Sequence, residues 1–431
     1  MNDFVRVVLP QSYDLVVGDT FQLFYRGIIE AVNPYCYDIL ALCEKGSNFP
    51  RYFEFTPEEA GEHLLTINVY GNDKTLLASG QTLLKIHAVK SSPAKPQNIL
   101  CIGDSLTAGG TWVAEAHRRL TATDGEPTGH GLTGFHFIGT CTKDAVNYEG
   151  YGGWGWGNYL HYGYIEYSPV WITCKHNKTA ADQHSKWQDA SGAVWILETI
   201  EENRLKFKRH LQHVPKPEAG QLITHAEQAL HTESIVIEAS EYEAPNPFWN
   251  ENTNAVDFVQ YCSKHDFGHI DAVYLFLTWN GQRPDRPPIK EYCQDMVSYG
   301  KQFVDILHCQ YPNAIVKIMG LQVPSINGGT GFNYGAKLPY CDDYDLTRFV
   351  LELNRAYEAW TLEDNYKDFT EFINISGQFD SEYNMPSAPK CVNTRNKVTE
   401  IVGINGVHPL QEGYLQIADA VYRNMVKTFC Q

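Results

Sequence analysis

A serine hydroxyl becomes a nucleophile only when a base stands within hydrogen-bond reach, and this sequence offers both partners in settings that local patterning can position. Ser105 closes the stretch Gln97-Asn98-Ile99-Leu100-Cys101-Ile102-Gly103-Asp104-Ser105-Leu106. The apolar run to Ile102 predicts a buried strand, Gly103-Asp104-Ser105 a tight turn, and the apolar positions Val113, Ala116 and Leu120 a following helix. A strand ending there projects the Ser105 hydroxyl at its carboxyl end, where open α/β sheets place their ligands, and the helix start supplies unpaired N–H groups. Taken alone, Asp104 and Ser105 serve equally well as a helix cap.

The candidate base is His408, in Gly403-Ile404-Asn405-Gly406-Val407-His408-Pro409, ahead of a helix with apolar residues at Leu410, Tyr414, Ile417, Val421 and Met425; taken alone, a loop histidine is equally polar surface. Pro409 suits a first helical turn and fixes the loop that carries the imidazole. Two further stretches break the regular pattern. Glu149-Gly150-Tyr151-Gly152-Gly153-Trp154-Gly155-Trp156-Gly157 holds five glycines in nine residues, which free the backbone to approach a ligand and bare its N–H groups. Read by itself it is equally a surface loop, and it lacks the spacing of a Walker or dinucleotide loop. Thr278-Trp279-Asn280-Gly281 ends the apolar strand Val273–Leu277, so the Asn280 amide either donates into the same cleft or serves as a turn residue.

Two kinds of pattern must hold these groups. Residues 4–90 carry short β-like runs at Phe4–Leu9, Tyr13–Val17, Phe21–Tyr25, Cys36–Cys43, Tyr52–Phe55, His63–Tyr70 and Leu83–Val89, with Leu65, Ile67 and Val69 alternating with polar residues. They predict a small β-sandwich, with a weak immunoglobulin-like signal, over residues 1–90. Lys90-Ser91-Ser92-Pro93-Ala94-Lys95-Pro96 is a polar joint, and 91–97 is read as a linker. Beyond it strands at Phe135–Gly139, Ala272–Leu277, Ala314–Met319 and Phe372–Ile375 alternate with helices near Val256–His265, Ile289–Gln310 and Leu346–Tyr366. That alternation predicts an α/β domain over 98–431, a largely parallel sheet covered on both faces. An insertion at about 158–247 interrupts it. Inside the insertion Ser185–His210 reads as a hairpin, with Ala193–Leu197 facing Arg204–Lys208. Lid, cleft wall, decoration and oligomer contact all remain open for it.

Composition narrows the partners. With 34 Lys+Arg against 51 Asp+Glu, the net charge of −17 opposes nucleic acid and anionic membrane and leaves a neutral small molecule or glycan. The 11 cysteines, an odd number without a C-x-x-C pair, are expected to be reduced thiols in a cytosolic protein rather than a disulfide framework. No metal motif is visible and no organic cofactor is implied. Residues 1–10 lack the pattern of a signal peptide, so the chain as written is expected in the cytoplasm, or outside it or in the periplasm if a signal has been removed. The oligomeric state is not legible.

In order along the chain, Gly103-Asp104-Ser105-Leu106, the glycine block at 149–157, Asn280 and His408-Pro409 resemble the four motif blocks of the SGNH hydrolases, also called GDSL esterases. Asn246-Pro247-Phe248-Trp249-Asn250, Val392-Asn393-Thr394-Arg395-Asn396 and Gly413-Tyr414-Leu415-Gln416-Ile417-Ala418-Asp419 are similar to a multidomain bacterial branch of that family. The resemblance runs from about residue 97 to the C-terminus. It implies a three-layer, flavodoxin-like domain and serine ester hydrolysis. Ser105 would be the nucleophile and His408 its general base. The oxyanion hole would combine the N–H groups of Ser105 and Gly153, or Gly152 with a shift of one, and the side chain of Asn280. Two departures stand out. Asn405 occupies the place, three before the histidine, where the family usually has an aspartate, so either a Ser–His dyad works with Asn405, or another acid such as Asp380 reaches His408, or the enzyme is slow. Thr278 and Gly281 stand where the family usually has Gly and Asp. Trp154, Trp156, Trp249 and Trp279 flank these blocks and could stack on sugar rings or belong to the core, and no long apolar stretch suggests a lipid-binding cap. Removal of acetyl groups from a sugar is the expected activity. A lipase, thioesterase or arylesterase and a catalytically weakened glycan-binding protein are the alternatives.

Overall fold

The computed structural model describes residues 5–161, 167–190, 192–210, 218–225, 234–242, 246–250, 252–277, 280, 288–325, 328–334 and 343–431. The chain divides into two compact units, residues 1–156 with 266–431, and residues 157–265.

The first unit has mixed α/β content with several sheets. Its central sheet is built on β1 (Gln97–Gly103), in the order β3-β4-β1-β5-β6-β7, where β2 is Phe135–Ile138, β3 Cys141–Lys143, β4 Val146–Gly150, β5 Ala272–Phe276, β6 Ile315–Met319 and β7 Thr370–Ile373. β2 pairs with the first half of β1, Gln97 opposite Phe135, and β4 with its last residues, Gly103 opposite Gly150. All these pairings are parallel except that of β3 with β4. Ile99 to Ile102 and Val273 to Phe276 are fully buried, as expected of central strands covered on both faces. Besides a short helix at Gly329–Tyr334, the helices are α1 (Ser105–Ala108), α2 (Thr111–Thr121), α3 (Ile289–Gln310), α4 (Asp343–Thr361) and α5 (Gln411–Phe429). α2 packs on α5, and α3 on α4.

The N-terminal strands form a four-stranded sheet (Ser12–Val16, Leu76–His87, Gly61–Tyr70, Asp38–Leu42) and a three-stranded one (Phe21–Phe24, Tyr52–Phe55, Ser47–Asn48). Leu15, Leu65, Ile67 and Leu84 from the first and Phe21, Leu23 and Phe53 from the second belong to one buried cluster. The predicted alternation is visible there: Leu65, Ile67 and Val69 are fully buried while their neighbours are not. The same unit joins these sheets to the helices through polar contacts. Asp19, in the turn before Phe21, accepts from Arg119 of α2 and Arg423 of α5 at 2.6 Å each, and Arg51 pairs with Asp380 at 2.7 Å.

In the second unit a seven-stranded sheet is antiparallel throughout, in the order Ser234–Val236, Leu222–His225, Lys186–Asp189, Val194–Ile200, Arg204–His210, Tyr167–Thr173, Ala239–Tyr242. Its core comes from one face, where Val170, Ile172, Trp187, Trp195, Leu197, Leu205, Phe207 and Ile223 are all fully buried. The expected hairpin is present, Leu197 opposite Phe207, with a bulge between Leu197 and Thr199.

Candidate active site

The β1–α1 turn is a backbone device with little freedom. A Cβ on Gly103 would stand 2.0 Å from Thr107 Oγ1 and 2.8 Å from the Phe276 carbonyl oxygen, so only glycine lets the chain turn this tightly at the end of β1. Asp104 is the N-cap of α1, its carboxylate accepting from the Leu106 N–H at 2.9 Å. The cap is thus Asp104, and Ser105 beside it is left to present its hydroxyl. Ser105, half-buried, stands at the first position of α1, and its N–H makes no hydrogen bond among the described residues.

His408 comes from the loop between the exposed hairpin Ser387–Asn393/Asn396–Gly403 and α5. Gly406 donates no side chain here and its carbonyl accepts from Ser325 N–H at 3.2 Å, while Gln322 Nε2 donates to the Val407 carbonyl at 2.9 Å. A Cβ at Gly406 would meet Thr330 Oγ1 at 2.3 Å, so the loop lies directly on the segment after β6. α5 starts at Gln411, with Leu410 as its N-cap, so Pro409 stiffens the approach instead of occupying the first turn.

These supports bring His408 Nε2 to 2.8 Å from Ser105 Oγ. In that contact the hydroxyl donates when Nε2 carries the lone pair, the tautomer a general base requires. Burial of the half-exposed imidazole holds its pKa below the ordinary 6.5, which keeps it neutral at pH 7. No carboxylate among the described residues bonds the ring. Asn405 lies three residues upstream, but its amide oxygen accepts from the backbone N–H of Val407 at 3.0 Å and of His408 at 2.9 Å, so it shapes the loop rather than bonding the imidazole. Asp380 does not reach His408: it is occupied by Arg51 and by the N–H groups of Glu382 and Tyr383.

The glycine block starts as β4 and leaves it at Gly150, whose Cβ would stand 2.7 Å from Ala108 N at the end of α1. Tyr151 N–H donates to the Gly103 carbonyl at 3.1 Å, so this loop begins against the Ser105 turn. Tyr151 to Trp154 is a tight turn closed by Trp154 N–H on the Tyr151 carbonyl at 3.2 Å, with Gly153 in the left-handed region at φ +80°. The exposed N–H groups of Gly152 and Gly153 make no hydrogen bond among the described residues. Asn280 is in place but engaged. Its amide nitrogen donates to the Trp154 carbonyl at 3.0 Å and to the Asp104 carboxylate at 3.3 Å. Sequence reasoning missed this tie, because residues 176 positions apart carry no local signal of contact. Thr278, Trp279 and Gly281 lie outside the described residues. Trp154 and Trp156 belong to the core, fully or almost fully buried, with Trp156 Nε1 donating to Tyr357 at 2.8 Å, so neither is a sugar platform. Trp249 is half-buried in the second unit.

Among the described residues no group of three or more His, Cys, Asp or Glu could hold a metal ion. The ten described cysteines are free thiols, and Cys341 lies outside the described residues. No described helix is long and apolar enough to cross a membrane.

No family model matches the chain, and no curated protein matches it. Solved structures give distant likenesses. A carbohydrate esterase family 3 protein from Talaromyces cellulolyticus is 11% identical over 77% of this chain and 97% of its own, with a TM-score of 0.36. A carbohydrate esterase family 2 enzyme with a carbohydrate binding domain, from Corynascus thermopiles (Myceliophthora fergusii), is 14% identical over 98% of this chain and 99% of its own, with a TM-score of 0.31. A peptidoglycan O-acetylesterase is 14% identical over 78% of this chain and 92% of its own, with a TM-score of 0.31.

Proposed function

We propose that this chain is a serine ester hydrolase of the SGNH type that removes small acyl groups, acetyl above all, from a carbohydrate. One observation carries the chemistry: Ser105 Oγ and His408 Nε2, from opposite ends of the α/β portion, stand 2.8 Å apart with the imidazole held neutral by burial. In the reaction Ser105 Oγ attacks the ester carbonyl as its proton passes to Nε2. The imidazolium returns that proton to the leaving sugar oxygen, and water then releases the acyl group by the same route. The tetrahedral oxyanion is received by the N–H of Ser105 and the N–H of Gly153 or Gly152, all without an acceptor among the described residues. The Asn280 amide joins them by giving up its longer bond to Asp104.

Within this proposal residues 1–90 form a β-sandwich domain, 91–97 a linker and 98–431 a flavodoxin-like hydrolase domain in three layers, interrupted by the insertion. The substrate is a neutral glycan ester, consistent with the net charge of −17, and neither nucleic acid nor membrane is a partner. A second reading, a glycan-binding protein with weakened catalysis, is favoured by Asn405, which brings no charge to His408. Hydrolysis of 4-nitrophenyl acetate by the wild type and by Ser105→Ala separates the two. Turnover abolished in the variant, with folding intact, supports the esterase. Equal turnover in both overturns it, and acetylated-glycan affinity without turnover in either supports the binding protein.

A further inference from the structure

A groove of about 720 Å3, lined by neither Ser105 nor His408, is walled by α2, the β3–β4 hairpin and the start of α5. That volume belongs to the range of ligand clefts, ~300–1,000 Å3, and far exceeds what an acetyl group occupies. Two of its walls follow the site residues along the chain. Thr111 opens α2 just past the helix that carries Ser105, and Gln411 opens α5 three residues after His408. Tyr414 stands close enough to Asp104 that the carboxylate adds to burial in pushing its hydroxyl up to about 12, so it remains a neutral donor. On the far side Tyr148 hooks β4 to α1 by donating to the Ala108 carbonyl at 2.8 Å, and the Cβ of Lys143 lies over Gly110.

The chemistry of the lining selects the occupant. Thr111, Lys143, Asp144, Gln411 and Tyr414 face the groove, and among the described residues their side chains make no hydrogen bond within the protein. His117 adds a ring held neutral by burial. By contrast Glu115 and Arg118 in the same wall are spent on one another at 2.7 Å. Unspent donors and acceptors, set among the apolar side chains of Ala114, Val146 and Leu415, suit sugar rings, which present hydroxyls and C–H faces together, better than an acyl tail, which would leave those polar groups unpaired. The hairpin tip holds Asp144 and Ala145 at φ +50° and +62°, a tight turn.

We infer that this groove binds the alcohol side of the ester as a run of two or more sugar units extending from the acylated one, with Lys143, Asp144, Gln411 and Tyr414 taking up its hydroxyls. The inference rests on the proposed esterase chemistry, and its test separates the two. kcat/KM is measured for 4-nitrophenyl acetate, 4-nitrophenyl octanoate and the acetates of glucose, cellobiose and cellotriose, in the wild type and in Lys143→Ala and Gln411→Ala. The wild type should prefer the di- and trisaccharide esters to the glucose ester, and each variant should lower the ratio of trisaccharide to 4-nitrophenyl acetate kcat/KM at least fivefold, mainly through KM. A ratio unchanged in both variants overturns the groove as a sugar site. So does a preference for octanoate that the variants remove, which would make it an acyl site. If Ser105→Ala does not change hydrolysis of any ester, the esterase chemistry itself fails. In that case binding of cellotriose to the wild type and Gln411→Ala, followed by calorimetry, decides the groove alone: equal affinities, or none, overturn it.

Discussion

Asn405 Oδ1 accepts the backbone N–H of His408 at 2.9 Å, so the residue that could have oriented the imidazole instead folds the loop beneath it. The same oxygen takes the Val407 N–H, and a carboxylate would accept both bonds equally well. Asn405→Asp is therefore expected to fold normally and to add one negative charge near the ring. That charge raises the His408 pKa, moving the acidic limb of the pH–rate profile up by roughly one unit. The rate at pH 7 should change by less than about tenfold, against the ~10⁴ that the carboxylate contributes in a serine-protease triad. A gain of several powers of ten would show that the missing carboxylate had limited catalysis.

The unmodified imidazole gives its own pH signature. Burial lowers its pKa from 6.5, so the protonated, inactive form accumulates only at lower pH than for a free histidine. kcat/KM on 4-nitrophenyl acetate should be flat through pH 7 and fall on acidification with a midpoint below 6.5. A midpoint above that value would require a negative group near the ring that the described residues do not supply.

The turn that presents Ser105 has no room for a methyl group. Gly103→Ala would force a Cβ to 2.0 Å from Thr107 Oγ1 and onto the Phe276 carbonyl, displacing α1 from the end of β1. Overpacking of this kind costs about 1–3 kcal/mol and moves Ser105, so under the proposed chemistry a loss of activity well beyond the loss of stability is expected. Gly153→Ala meets nothing within 4 Å and differs only in its φ of +80°. Its cost should be about 1–2 kcal/mol, read by urea unfolding, with a drop in kcat only if the Gly153 N–H serves the oxyanion.

The contrast between those glycines and the rest of the chain shows what a sequence can disclose. The helix Ile289–Gln310 falls where its periodicity puts it, and the strands around Leu197 and Phe207 pair as a hairpin, because both signals are local. Most of the second unit's sheet was not legible. Lys186–Asp189 and Leu222–His225 are four residues each and bury only alternate side chains, too short a repeat to stand out. The hairpin before His408 was missed for a different reason: Ser387–Asn393 and Asn396–Gly403 are exposed almost throughout, so no apolar face marks them. At the site, residue types named Ser105 and His408 in advance, whereas the tie between Asn280 and Asp104 is purely tertiary.

That tie yields a prediction for Asn280. If its amide supplies an oxyanion donor, Asn280→Ala lowers kcat by about 10²–10³ with KM little changed. If it only braces the turn, the loss appears in stability, since the Trp154 carbonyl and one Asp104 oxygen lose their donor. Asn280→Asp distinguishes the roles further, because it sets a second carboxylate against Asp104 and removes the donor together. It should be less stable than the alanine variant at neutral pH and recover part of that difference on acidification, as one of the two carboxyls takes up a proton.

The N-terminal strands meet α2 and α5 through a buried charge, and that contact makes a prediction about stability. Asp19 is paired at 2.6 Å with both Arg119 and Arg423, each nearly buried, and Arg423 lies on α5, the helix that follows His408. Desolvation opposes the charged form of Asp19, but the two guanidiniums outweigh it and hold the pKa below the ordinary 3.8. A depressed carboxyl contributes stability that is present above the unfolded value and is lost as the pH falls through the folded one. Asp19→Asn leaves the buried Arg423 without its paired carboxylate and Arg119 with Asp419 alone, and should cost about 3–5 kcal/mol in urea unfolding at pH 7. The difference between wild type and variant should shrink below pH 4, where the wild-type carboxyl begins to protonate in the unfolded chain. A penalty that does not change between pH 7 and pH 3 would mean that Asp19 acts there by shape, not by charge.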